Sequence, residues 1–320
     1  MTGHRRARSS SLYGPDGRLH PMLRLLVYCV ATPAAVIVVQ VIAYTITNSI
    51  IGPPDQTSAN LGEMGFPYLL SLQLASVIAI TSTTLAVRRL LDGRSFVSLG
   101  LRRHDGWLSD MFFGLILGLL LMAVIFVVAW LAGWITWRPA LAAFSLTDLV
   151  GVVALFIMVA WAEELAMRGY VLQTAKEAWG TIPALLLSSL IFGVLHLTNP
   201  GAGAMSAVGI FMAGVFFAVG FLATRSLWLP MAVHFSWNFF EGPFFGFPVS
   251  GLQLPSLLSV DMKGPELITG GAFGPEAGLS GILATCVGIA AVAAYWRWLK
   301  QRRQEPDRPG GKPQPGFDKA

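Results

Sequence analysis

The amino-acid sequence predicts an all-α, polytopic membrane protein: a bundle of about eight transmembrane helices. Three observations predict it. First, 54% of the 320 residues are hydrophobic and only 12% are charged, with a mean hydropathy of +0.63. That charged share is about half of what an ordinary soluble domain carries. Second, the apolar residues form continuous runs of about 20, the length an α-helix needs to cross ~30 Å of hydrocarbon. Transmembrane β-strands would alternate apolar and polar residues instead. Third, the basic residues lie between the runs or at the chain ends. The net charge of +5 therefore reads as membrane topology, not nucleic-acid binding. The same composition excludes disordered, collagen-like and coiled-coil chains. The only cysteines, Cys29 and Cys286, each sit inside an apolar run, which excludes a disulfide scaffold.

In chain order, spans are expected at residues 22–48, 67–87, 108–134, 148–176, 181–198, 203–224, 226–247 and 278–299. The first is too long for a signal-peptide apolar region and lacks a cleavage site. The membrane domain, 22–299, is flanked by an N-terminal tail, 1–21, and a C-terminal tail, 300–320. The latter is rich in Pro, Gly and charge and is expected to be disordered. Orientation follows from the loops. Arg5, Arg6, Arg8 and Arg18 precede span 1, Arg88, Arg89, Arg94, Arg102 and Arg103 follow span 2, and Arg297, Lys300, Arg302 and Arg303 end the chain. The loops after spans 1 and 7 carry Asp55, Glu63, Asp261, Glu266 and Glu276 against Lys263. Both termini are therefore expected in the cytoplasm. Segment 248–277, rich in Gly and Pro, reads as an outer or re-entrant loop to which composition assigns no chemistry.

An ionisable residue at bilayer depth costs several kcal/mol unless it is paired or hydrated, so such residues mark candidate function. The carboxylates expected inside the spans are Glu163 and Glu164, and the histidines are His196 and His234. Glu164 and Arg168 are spaced i,i+4 with the acid first, the favourable order for a helical ion pair. Glu163 lies about 100° around the axis and gains no such partner. Gly180 divides spans 4 and 5, with Glu163 17 residues before it and His196 16 after. An antiparallel hairpin about that turn brings the two to one level, about 25 Å away. On span 7, His234 and Asn238 share a face. Each residue alone could be interhelical packing; together they can polarise one water, either through a metal or with Glu163 as general base. Asn238 or a histidine can then stabilise the oxyanion of a tetrahedral intermediate. Other protease chemistries lack their signatures: there is no H-E-x-x-H, no intramembrane Asp pair, no G-x-S-x-G and no Cys beside a His.

Glu163-Glu164-x-x-x-Arg168, Phe192-x-x-x-His196 and His234-x-x-x-Asn238, in that order on three core spans, resemble the CPBP intramembrane endopeptidases. These are relatives of the CAAX prenyl endopeptidase and include bacterial proteins linked to bacteriocin processing and self-immunity. The resemblance covers about residues 150–250, within a protease-like core at 148–247. It implies that Glu163 and His196 activate water, that His234 and Asn238 complete the site, and that Glu164 and Arg168 support it. It implies a bacterial plasma-membrane enzyme cleaving a peptide or protein, lipidated or not, near or within the bilayer, with no nucleic-acid partner. A catalytic zinc held by Glu163, His196 and His234 is the favoured expectation, because two imidazoles and a carboxylate can converge from three helices; a metal-free glutamate mechanism is the alternative. Two other classes remain beside the protease: a proton-coupled transporter, which would also use intramembrane Glu and His, and a non-catalytic immunity or scaffold protein that retains these residues.

Overall fold

A computed structural model describes residues 12–14, 17–53 and 65–304. Arg5, Arg6, Arg8, Asp55 and Glu63 lie outside the described residues, as does the expected tail from 305 onward.

The helices form in the order α1 (Pro21–Ile51), α2 (Phe66–Leu90), α3 (Trp107–Leu131), α4 (Leu146–Glu164), α5 (Leu172–Trp179), α6 (Thr181–Leu195), α7 (Ala204–Thr224), α8 (Trp228–Phe239), the short α9 (Glu266–Thr269) and α10 (Leu279–Gln304). Residues 300–304 thus belong to the last turn of α10. Two strands, β1 (Ile135–Pro139) and β2 (Leu258–Met262), pair antiparallel, with Ile135 opposite Met262. All eight expected spans appear as helix, but among the described residues seven helical segments are long and apolar enough to cross a membrane. The seventh expected span, 226–247, is the exception. Its α-helix α8 has 12 residues and gives way to a π-helical turn at Phe240–Phe244, which contains Gly242 and Pro243. Those two residues cost helical stability and remove a backbone donor, so the run ends early.

The flanking contacts nevertheless show that α8 leads from one end of the bundle toward the other. Leu227 N–H donates to Gly100 O at 2.9 Å, tying its start to the loop after α2. Beyond its end, β2 pairs with β1, which follows α3. A short helix with irregular backbone after it is tolerated at membrane depth where it is buried in protein or lines a cavity.

Close helix approach explains where α8 sits. Gly114 and Gly118 of α3 face Ala232 and Ser236, and a Cβ on Gly118 would fall 2.7 Å from the Ser236 Cβ. Small residues spaced by four let backbones meet, as in membrane helix pairs generally. Ser236 Oγ–H donates to Leu115 O at 2.6 Å across that seam.

The end of the bundle that carries Gly100 is clasped by buried charges. Arg24 of α1 donates to Asp92 at 2.7 Å and to Glu177 of α5 at 2.6 Å, and Arg88 donates to Asp92 at 2.9 Å. Arg94 also pairs with Glu177. Tyr28 stacks on Tyr170 with ring centroids 4.2 Å apart, extending the clasp inward. The segment 248–278 folds back onto α7: a Cβ on Gly209 would lie 1.7 Å from Glu276 O, so only glycine permits the contact.

Reporter fusions at 137 and 262 should report the same side of the membrane, because β1 and β2 are paired, and a fusion at 98 the opposite side. Opposite readings at 137 and 262 would contradict this fold.

Candidate active site

The site is built around Glu164. A capping box starts α4, with Ser145 Oγ accepting from Asp148 N–H at 3.1 Å and Asp148 Oδ2 accepting from Ser145 N–H at 2.9 Å. The helix then runs without a break to the two glutamates. Immediately after Glu164 it widens into a π-helical stretch, Leu165–Val171, a distortion that recurs at functional sites. Arg168 lies within it and donates to Glu164 Oε1 at 2.8 Å and to Gly214 O of α7 at 2.9 Å. Both charged side chains are fully buried. The guanidinium lies over the rings of Phe192 and Phe217, 4.6 and 5.2 Å from their centroids.

His234 completes this core. Its Nδ1 lies 3.0 Å from Glu164 Oε1, and its ring stacks on Phe217 at 4.6 Å. A carboxylate only accepts, so Nδ1 carries the proton and a neutral His234 presents Nε2 as an acceptor. That Nε2 lies 3.7 Å from Glu163 Oε2. The geometry separates the two glutamates as their helical spacing predicts: Glu164 is held by Arg168 and His234, whereas Glu163 is 30% exposed and its Oε2 has no hydrogen-bond partner. His196, at the C-terminal end of α6, is held differently. Its Nδ1–H donates to Phe192 O at 2.8 Å, leaving Nε2 as an acceptor.

Glu163, His196, His234 and Asn238 all line one cavity of about 670 Å³. Glu164 and Arg168 stand behind its wall. The rest of the lining is largely apolar and comes from α1, α2, α4, α6, α7 and the 248–278 segment, including Pro33, Val36, Leu72, Phe156 and Leu254. Asn238 is 6% exposed. Among the described residues, no three His, Cys, Asp or Glu side chains form a group that could hold a metal ion. As arranged, Glu163, His196 and His234 share the cavity without converging as a ligand set, so the expected zinc site does not fit this geometry.

Two acidic residues escaped the sequence reading. Glu241, inside the expected seventh span, is fully buried, and so Glu163 and Glu164 are not the only intramembrane carboxylates. It follows His234 and Asn238 at helical spacing, i, i+4 and i+7, a pattern that could have revealed it. The second is Glu276. Its segment showed no signal in composition, yet Glu276 and Ser250 line the cavity. Glu276 Oε2 accepts from Ser250 N–H at 2.9 Å and from Ser250 Oγ–H at 2.5 Å. Burial raises the Glu276 carboxyl above its ordinary range, while the Ser250 hydrogen bonds and the nearby His196 and His234 oppose that rise.

A helical membrane bundle that brings Glu163, two imidazoles and an amide to one cavity, with Glu164 and Arg168 behind its wall, has the makings of an intramembrane protease. Residues 145–240, which contain every residue of the three motifs, match the family model described as type II CAAX prenyl endopeptidase Rce1-like, so over this stretch the chain is similar to that family. A comparison with curated proteins found no match.

Arg168→Ala should destabilise the protein by about 3–5 kcal/mol, because it strands Glu164 as an uncompensated buried charge. Thermal unfolding in detergent checks this, and adding Glu164→Gln should recover part of the loss.

Proposed function

We propose that the protein is an intramembrane endopeptidase that hydrolyses a peptide bond with water activated by Glu163, without a metal. The observation that carries this reading is Glu163 itself: a cavity-lining carboxylate, 30% exposed, with an oxygen that has no hydrogen-bond partner, beside an imidazole whose other nitrogen is already committed. A general base needs this combination of a free lone pair and hydrogen-bond reach of the substrate water.

In the proposed reaction Glu163 takes a proton from water as the hydroxyl oxygen bonds to the scissile carbonyl carbon. His196 Nε2 accepts the water's second hydrogen and orients it. The Asn238 amide donates to the developing oxyanion, in a cavity where low polarity strengthens such a bond. A neutral His234 has no hydrogen left to donate from Nε2, so it joins Asn238 at the oxyanion only when protonated. Glu163 then passes its proton to the leaving nitrogen as the carbon–nitrogen bond breaks, giving an acid and an amine. A lipidated substrate would suit the apolar wall, and the Arg-rich loops suit a cytoplasmic placement of both termini.

Glu163→Gln should lower the cleavage rate by at least about 100-fold, the scale of a lost general base, while the protein still inserts and melts like the wild type. Comparison of membrane peptides from cells carrying either form identifies the substrate. Elemental analysis of active, chelator-treated protein should show full activity with no bound metal. Near-stoichiometric zinc that leaves and returns together with activity would overturn the metal-free mechanism.

A further inference from the structure

The charged groups around the cavity are one-sided. Glu163, Glu276, His196 and His234 line it, and no Lys or Arg does among the described residues. Arg168, the nearest guanidinium in the site, is fully buried behind the wall and is spent on Glu164 and on Gly214 O. A peptide with a free carboxylate beside its scissile bond would therefore meet two acids and no fixed base.

Glu276 is the less expected of those acids. It is 8% exposed, and both of its hydrogen bonds, from Ser250 N–H and Oγ–H, go to Oε2. Oε1 takes neither, although the side chain lines the cavity. Donors stabilise the ionised form of a carboxyl. Behind it, Glu241 is fully buried, and neither of its oxygens makes a hydrogen bond of ordinary geometry. Two neighbouring buried acids do not both ionise, because each charge opposes the other. The hydrogen bonds of ordinary geometry fall on Glu276 and none fall on Glu241, so Glu276 is the carboxyl of the two whose ionised form the site holds better. A single carboxylate at this depth is costly until a cation meets it. The two imidazoles within reach each have Nδ1 committed elsewhere, His196 to Phe192 O and His234 to Glu164.

We propose that Glu276, oriented by Ser250 and backed by Glu241, forms a cation-accepting subsite in the cavity, so that the peptide cleaved here presents a Lys or Arg side chain next to its scissile bond. This rests on the endopeptidase reading above. It also separates the protein's substrate from one recognised by a terminal carboxylate.

The test uses the full-length protein in a nonionic detergent and measures binding of a labelled apolar peptide carrying one central Lys, its scissile bond replaced by a non-hydrolysable isostere. Companion peptides carry norleucine or Glu at that position with an amidated C-terminus, or norleucine with a free C-terminal acid. The Lys peptide should bind about tenfold more tightly than the norleucine amide, the scale of one charge-assisted hydrogen bond, and the Glu and free-acid peptides more weakly than either. In Glu276→Gln the ratio of Lys to norleucine affinity should fall below about twofold. Equal binding of Lys and norleucine by the wild type, or tightest binding of the Glu or free-acid peptide, would overturn the subsite, and neither result depends on the variant folding. A Lys preference that survives in Glu276→Gln would overturn the assignment to Glu276. Cleavage of the ordinary Lys peptide is scored separately by mass spectrometry: a peptide bound with the expected preference but never cut would count against the endopeptidase reading and leave the subsite standing.

Discussion

Two full charges with no exposure sit inside the bundle, Glu164 and Arg168, and much of the surrounding arrangement satisfies them. An ion pair taken out of water loses several kcal/mol of hydration per ion and recovers it only with good geometry and further hydrogen bonds. Arg168 obtains them from Gly214 O and from the faces of Phe192 and Phe217, and Glu164 from His234. Four helices are thereby tied to one point: α4 with its π-helical continuation, α6 through Phe192, α7 through Gly214 and Phe217, and α8 through His234. Glu164 is consumed in this role, whereas its neighbour Glu163, about 100° around the helix, lines the cavity.

The second constraint is the shortness of two elements. Helix α6 stops at Leu195 and α8 gives way to a π-helical turn at Phe240. Backbone that leaves the helix at membrane depth must be buried in protein or face a cavity. Both endings are covered by the same returning segment: Asn199 Nδ2–H, after α6, donates to Ser250 O at 3.1 Å, and Leu257 N–H donates to Pro243 O, in the turn after α8, at 2.7 Å. The interruptions thus open the space in which a peptide bond could meet Glu163, and bring Ser250 and Glu276 to its wall.

The family match ends at residue 240, yet the cavity does not. Its far walls come from Thr32, Pro33 and Val36 of α1, Leu72 and Ser76 of α2, and the 248–278 segment. The chemistry-bearing residues and much of the surface that would contact a substrate are therefore contributed by different stretches of chain. The Arg24–Asp92–Arg88 clasp joins them by anchoring α1 to the loop after α2, and through Glu177 to α5.

Hydropathy determined the all-helical membrane class, because the ~30 Å slab imposes one length on every helix that crosses it. Spacing along single helices determined that Glu164, and not Glu163, pairs with Arg168 and that His234 and Asn238 share a face, because those are local consequences of 3.6 residues per turn. Local periodicity could not show that the seventh run breaks at Gly242-Pro243 and leaves a 12-residue helix. It equally could not show that Glu163 Oε2 faces His234 at 3.7 Å while His196 binds back to Phe192, since that depends on how three helices pack. Glu276 was illegible for the same reason. Nothing around it in the chain is periodic or apolar enough to signal depth, and only the close approach to Gly209 carries the loop into the cavity, where its carboxylate meets Ser250.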